Sequence, residues 1–270
     1  MNPNQALWEK GDFTRIASSM RGSGDALVER ITISPGSDVL DLGCGDGTTA
    51  VPAAKRGAKV LGVDIARNLV DAGNLRAKEE GLDNLRFQHG DACALDDIGD
   101  DSFDLVVSVF GAMFAPRPFD VAKEMVRVTR PGGRIVMGNW IPGDPTLVAQ
   151  ILRICSAYSP PPPEGFVSPM TWGIAENVAE RFADAGLGAE ATTCEPDTFV
   201  FEAPVPPTEY LTWFRDYYGP TMNAFDAATQ DGRADVLFGE LDELFNTQNT
   251  STDPSATTIA ATFLRVAVDV

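Results

Sequence analysis

Val39-Leu40-Asp41-Leu42-Gly43-Cys44-Gly45-Asp46-Gly47-Thr48 is the stretch on which the reading of this chain turns. Val39, Leu40 and Leu42, with one carboxylate among them, predict a short buried strand. Three glycines at a spacing of two end it, and the Thr-Thr-Ala run beyond them starts a helix. Glycine is needed where the backbone takes positive φ or must come close to a ligand, because a Cβ blocks both. A strand, a glycine turn and a helix N-terminus form the floor of a nucleotide-sized pocket in a parallel α/β sheet. The same three pieces also make an ordinary strand-to-helix turn. A dinucleotide fingerprint, G-x-G-x-x-G, would place glycine at position 48, where Thr48 stands, and this disfavours a nicotinamide oxidoreductase.

Outward from the loop, Thr48 to Lys55 reads as a helix ended by Gly57, with Pro52 tolerated near its first turn. Val60-Leu61-Gly62-Val63-Asp64 is a second buried strand finishing in a carboxylate, at a distance from Gly47 that suits one βαβ unit. Asp64 there accepts hydrogen bonds from both hydroxyls of a ribose, or caps the helix that follows. Ala66 to Glu80 is amphipathic and closed by Gly81. Leu85 to Gln88 gives a third strand, leading into His89-Gly90-Asp91-Ala92, and Phe103 to Phe110 a fourth. Its C-terminal end, with Gly111 to Phe114, lies where ligands bind in an open parallel sheet. Pro118 to Thr129 is a helix, and Arg130-Pro131-Gly132-Gly133 turns into a fifth strand, Arg134 to Gly138.

Asp-Leu-Gly-x-Gly-x-Gly, then Gly-Asp-Ala at 90–92 and Arg-Pro-Gly-Gly at 130–133, in that order over about 100 residues, resemble the class I S-adenosylmethionine (SAM) dependent methyltransferases. Within them the chain looks like the quinone-biosynthesis C-methyltransferases and the methyltransferase type 11 group. The resemblance is firm over residues 36–140 and architectural elsewhere. It implies an α/β fold, a Rossmann-like seven-stranded sheet of order 3-2-1-4-5-7-6 with a helical lid insertion. It implies S-adenosyl-L-methionine as cofactor, held by Trp8, Asp41, Gly43, Cys44, Gly45, Gly47, Asp64, Ile65, Asp91, Ala92, Val109 and Phe110. Asp91 would stand beside the adenine amino group, and the backbone N–H of Ala92 near the ring. DNA and protein amide methyltransferases usually carry an Asn-Pro-Pro-Tyr type tetrapeptide after the fourth strand. Val109-Phe110-Gly111-Ala112 departs from it, which disfavours those substrates.

The bulk numbers narrow the field further. The 270 residues suffice for one large α/β domain with an insertion, and a 44% apolar share for a sizeable core. A net charge of −18 and scattered basic residues speak against nucleic-acid and membrane partners. The first residues lack a basic start and an apolar segment, so no signal peptide is expected, and no apolar run is long enough to span a bilayer. Cys44, Cys93, Cys155 and Cys194 are far apart and show no metal-ligand pairing. A cytoplasmic monomer or homodimer, with no metal and a small-molecule methyl acceptor, is the expectation.

Three regions follow: an N-terminal helical cap (1–35), the SAM-binding core (36–204 and 254–270) and a helical substrate-lid insertion (205–253). In the cap, Leu7, Trp8, Phe13, Ile16, Ala17 and Met20 recur at helical spacing, interrupted by Gly11-Asp12. They either pack an edge or close over the cofactor. Beyond Asn139, Pro145 to Tyr158 and Thr171 to Ala185 read as helices, 159–163 as a polyproline connector, and Gly188 to Cys194 with Thr198 to Phe201 as a strand or hairpin. The insertion is rich in aromatics, which either form its own core or, for Trp213, Tyr217 and Tyr218, face the substrate. Thr257 to Val270 fits a closing antiparallel strand. A general base is required only if the acceptor must lose a proton. The candidates are His89, the lone histidine, with Asp12, Asp216 and Tyr217. The reading from a different class is a SAM-binding regulatory or scaffold protein without turnover.

Overall fold

The computed structural model describes residues 3–270, so the first two residues of the cap lie outside it. Three helices, α1 (Pro3–Glu9), α2 (Phe13–Ser18) and α3 (Arg21–Ile31), precede the sheet. The core then alternates β1 (Asp38–Leu42), α4 (Ala50–Lys55), β2 (Lys59–Asp64), α5 (Arg67–Glu79), β3 (Leu85–His89), β4 (Phe103–Val109), α6 (Pro118–Val128) and β5 (Thr129–Trp140). After α7 (Leu147–Ser156) and α8 (Ala175–Asp184) come β6 (Thr192–Ala203), α9 (Pro207–Tyr217), α10 (Gly219–Gln230), α11 (Ala234–Gln248) and β7 (Thr257–Asp269).

The sheet has the order β3-β2-β1-β4-β5-β7-β6. Strands β1 to β5 pair in parallel, and β7 is antiparallel to both its neighbours. The near-continuous burial of β1, β2 and β4 follows from helices covering both faces of a parallel sheet. The order reverses between β1 and β4, and a crevice opens beyond the carboxyl ends of these two strands. That crevice holds the site described below.

Two expectations need correction. Residues 192–203 form one strand rather than a hairpin. Pro196 does not break it, because β6 is an edge strand paired only with β7, where Pro196 faces Leu264. The helix expected from Thr171 begins only at Ala175, after a 3₁₀ turn over Pro169–Gly173. The free edge of β6 is covered by the cap: Ser23 Oγ donates to Val200 O (3.0 Å) and accepts from Val200 N (2.8 Å), and Glu202 N donates to Ser19 O.

In the insertion, Tyr210, Phe214 and Phe245 are fully buried, with ring centroids 5.2–5.7 Å apart in edge-on pairs. Most of its aromatics therefore serve its own core. Tyr210 OH meets Ser19 Oγ at 2.6 Å, and Lys10 Nζ reaches Asn223 Oδ1 (2.6 Å) and Asp226 Oδ2 (2.5 Å). The insertion thus stands behind α1 and α2 and braces them. Among the described residues, no helix is long and apolar enough to cross a membrane.

Candidate active site

At the carboxyl end of β1 the chain must reverse within a few residues, and Gly43, Gly45 and Gly47 do so with φ of +70°, +54° and +92°. Each has a different reason. A Cβ on Gly43 would lie 2.6 Å from Gly111 Cα, so the absence of side chains lets the turn after β1 touch the turn after β4. A Cβ on Gly45 would meet nothing within 4 Å, because it faces the cleft. Gly47 does not line the cleft; the ring of Phe87 and Val51 fill the space its side chain would need. Gly43 and Cys44 N–H both reach Val63 O, which ties the loop to β2.

The cleft is open on one side, and the empty space in it, mouth included, is about 960 Å³. Its first wall carries four carboxylates. Asp64 is buried, its two oxygens accepting from Gly45 N (2.8 Å) and Ala66 N (2.9 Å), and burial raises its pKa against those bonds. Asp46 is paired with Arg21, whose other nitrogen donates to Thr48 Oγ1 at 2.6 Å. Asp91 accepts from Cys93 N at 2.9 Å. Asp41 is 2% exposed and its Oδ2 has no hydrogen-bond partner. Burial pushes its pKa up to about 7, countered by the backbone N–H of Ala50 and reinforced by the charge of Asp64. This unpartnered, buried carboxylate oxygen, with no Lys, Arg or His on the lining among the described residues, fits a ligand carrying positive charge and hydroxyl donors, as SAM does, and disfavours a pyrophosphate.

The second wall is apolar: Trp8, Phe13 and Met20 from the cap, Phe110 and Phe114 after β4, and Phe199 from β6. Trp8 stands edge-on to Phe13 (5.7 Å) and to Phe114 (4.9 Å), and Tyr218 packs behind Trp8 and Phe13. Asn4 Nδ2 donates to Phe114 O and ties the start of α1 to this wall. Phe110 takes φ +62°, a conformation that a bulky residue adopts at a cost. It is held there by its hydrogen bond to Gly138 O (2.9 Å) and by a stack on Trp140, centroids 3.6 Å apart and 10° from parallel.

Of the cofactor candidates, Trp8, Asp41, Gly43, Cys44, Gly45, Asp64, Ile65, Asp91, Ala92, Val109 and Phe110 are gathered on this cleft, and Gly47 is not. The base candidates stand elsewhere. Asp12 caps α2, accepting from Thr14 N, and lies beside Arg15. Tyr217 lies under the guanidinium of Arg15, and Asp216 is paired with Arg215. His89 sits beside Asp64 in the β2–β3 register, its Nε2 buried and without a partner, and does not line the cleft. None of the lining residues comes from the insertion, so Trp213, Tyr217 and Tyr218 do not reach it. Residues not singled out as ligand contacts are Asn4, Phe13, Met20, Asp46 and Phe199. Phe13 and Met20 lie on the periodic face of the cap, whereas Phe199 gives no local signal.

Residues 40–137 match a family described as a methyltransferase domain. An uncharacterised protein of Mycobacterium tuberculosis (strain ATCC 25618 / H37Rv) is 33% identical over 240 residues, covering 88% of this chain and 84% of that protein. A demethylmenaquinone methyltransferase of Bacillus velezensis is 36% identical over 115 residues, 42% of this chain and 49% of the relative. The crystal structure of the YcgJ protein from Bacillus subtilis shares the fold, with a TM-score of 0.58, 21% identity and coverage of 92% and 98%.

Proposed function

We propose, from the premise that this chain belongs to the S-adenosylmethionine-dependent methyltransferases and uses that cofactor, that it methylates a small organic acceptor with an apolar, ring-sized body, at carbon, nitrogen or oxygen. The cluster of aromatic side chains on the same cleft as the glycine turn is the observation that carries this reading. Bound SAM supplies an electrophilic methyl group on a sulfonium sulfur.

The chain's own residues do the rest by position. Asp64 accepts the ribose hydroxyls, Asp91 and the N–H of Ala92 face the adenine, and the bare backbone at Gly43 and Gly45 lets the nucleoside approach closely. Asp41 Oδ2 takes the positive end of the methionine moiety. Trp8, Phe13 and Phe114 exclude water and orient the acceptor in line with the breaking bond, an effect that reaches about 7–11 kcal/mol in well-oriented reactions. The cap at 1–35 is the cover over the site, and the insertion at 205–253 acts on the acceptor indirectly, by bracing that cover.

Asp64→Ala is expected to weaken SAM binding by about 1.5–3 kcal/mol, the scale of hydrogen bonds to a charged group. Calorimetry with unchanged affinity would remove Asp64 from the site. For the reaction itself, the chain with isotopically labelled SAM and a panel of ring-bearing acceptors should release S-adenosylhomocysteine and labelled product. Cofactor binding without transfer to any acceptor that fits the aromatic wall would overturn it.

A further inference from the structure

Among the described residues, the apolar wall contains no group that takes up a proton near neutral pH. Besides Trp8, Phe13, Met20, Phe114 and Phe199, the polar side chain there among the described residues is that of Asn4, and an amide takes up no proton near neutral pH. The titratable side chains on the cleft among the described residues are Asp41, Cys44, Asp46, Asp64 and Asp91. Asp46, Asp64 and Asp91 are engaged by Arg21, by Gly45 and Ala66, and by Cys93. The free oxygen of Asp41 is the one assigned above to the methionine moiety of the cofactor, and burial keeps the Cys44 thiol protonated.

An acceptor that reacts as an anion would find, among the described lining residues, no uncommitted base to form it and no cation to hold it, in a cleft with four carboxylates and a chain of net charge −18. An acceptor bearing a phosphate or carboxylate meets the same penalty. A neutral nitrogen lone pair meets neither.

We propose that the acceptor is an uncharged, ring-bearing amine or nitrogen heterocycle and that the chain methylates its nitrogen without a protein base, an inference that rests on the methyltransferase reading above. The nitrogen lone pair attacks the methyl carbon, the C–S bond breaks with its electron pair returning to sulfur, and the positive charge passes from sulfur to nitrogen. A tertiary amine or aromatic nitrogen leaves as a cation; a secondary amine loses its N–H proton to water after release. Net charge in the site does not change during the step, so the apolar wall imposes no cost for creating charge. Trp8 stands edge-on to Phe13 at 5.7 Å and to Phe114 at 4.9 Å, and aromatic rings of this kind favour a cation forming on nitrogen.

The test uses the full chain and five ring-matched probes: isoquinoline, tetrahydroisoquinoline, 2-naphthol, 2-naphthoate and 2-naphthyl phosphate. Binding is measured calorimetrically with S-adenosylhomocysteine present, and transfer from SAM by mass spectrometry. The two nitrogen probes should bind and yield N-methyl products, and the two anionic probes should bind at least about 100-fold more weakly. With each nitrogen probe, kcat/KM should rise with pH along that probe's own free-base fraction, so the midpoint moves when the acceptor is changed. The proposal is overturned by faster transfer to naphthol, by equal binding of the anionic probes, by a midpoint that ignores the acceptor, or by no probe binding to the loaded chain. Failure of S-adenosylhomocysteine itself to bind is a separate result and takes the parent reading down as well.

Discussion

Gly43→Ala should abolish SAM binding and destabilise the fold by about 2–5 kcal/mol. The lower part of that range is the cost of a Cβ at φ +70°, and the rest is overpacking. The new methyl would stand 2.6 Å from Gly111 Cα and 2.7 Å from Gly111 C, where the clash is with backbone that cannot rotate away. To admit it, the turn after β1 and the turn after β4 must separate, and these two turns are the floor of the cleft. A loss on this scale is a large part of the 5–15 kcal/mol that stabilises a typical domain, so it should be visible in thermal unfolding. Gly45→Ala is the control. Its Cβ meets nothing within 4 Å, so it should cost only about 1–2 kcal/mol in stability while still weakening the cofactor. If Gly43→Ala unfolded at the temperature of the parent protein, the close packing of these two turns would be refuted.

The second large effect concerns Asp41. Burial raises its pKa in the folded, ligand-free protein to about 7, from 3.8 in the open chain. The folded state therefore binds more protons than the unfolded state between these values, and its stability falls as pH rises from about 4 to 7. A gap of about three units at 1.36 kcal/mol each makes this about 4 kcal/mol at most. Asp41→Asn removes the term, so the ligand-free variant should be more stable than the parent at pH 8 by up to that amount, and by much less at pH 4. The same variant should bind SAM more weakly, because Asp41 Oδ2 has no partner within the protein and is the oxygen we assign to the cationic end of the cofactor. In the parent, affinity should strengthen as pH rises through about 7 and the carboxylate ionises; in Asp41→Asn this dependence should flatten. Denaturant unfolding at the two pH values checks the first part and calorimetry the second. An equal stability difference at both pH values would mean that Asp41 does not titrate as its burial dictates.

Read alone, the sequence already determined which residues of the cleft lining come from patterns local in the chain. A buried strand, glycines two apart and a carboxylate ending the next strand are short-range patterns, and Asp41, Gly43, Gly45, Asp64 and Asp91 could be placed because each sits at a strand end whose position its neighbours dictate. The sheet order followed from the family resemblance that these motifs carry.

The rest of the lining was decided by tertiary structure. Trp8, Phe13, Phe114 and Phe199 come from two cap helices, the turn after β4 and the edge strand; the first three stand in stretches that the sequence offered as a cover or a ligand edge, but nothing in the neighbourhood of Phe199 distinguishes it from a core aromatic, and that the four share one cleft is not written in any of these stretches. Residue type misdirected the search for a base for the same reason: a carboxylate such as Asp12 looks alike in sequence whether it caps a helix or meets a substrate. Phe110 is the sharpest case. Its left-handed backbone runs against local preference, and it is imposed by long-range contacts: the stack on Trp140, the bond to Gly138 and the approach of Gly111 to Gly43. Local periodicity records which face of an element is buried; which faces then meet around the cleft is set by packing between elements far apart in the chain.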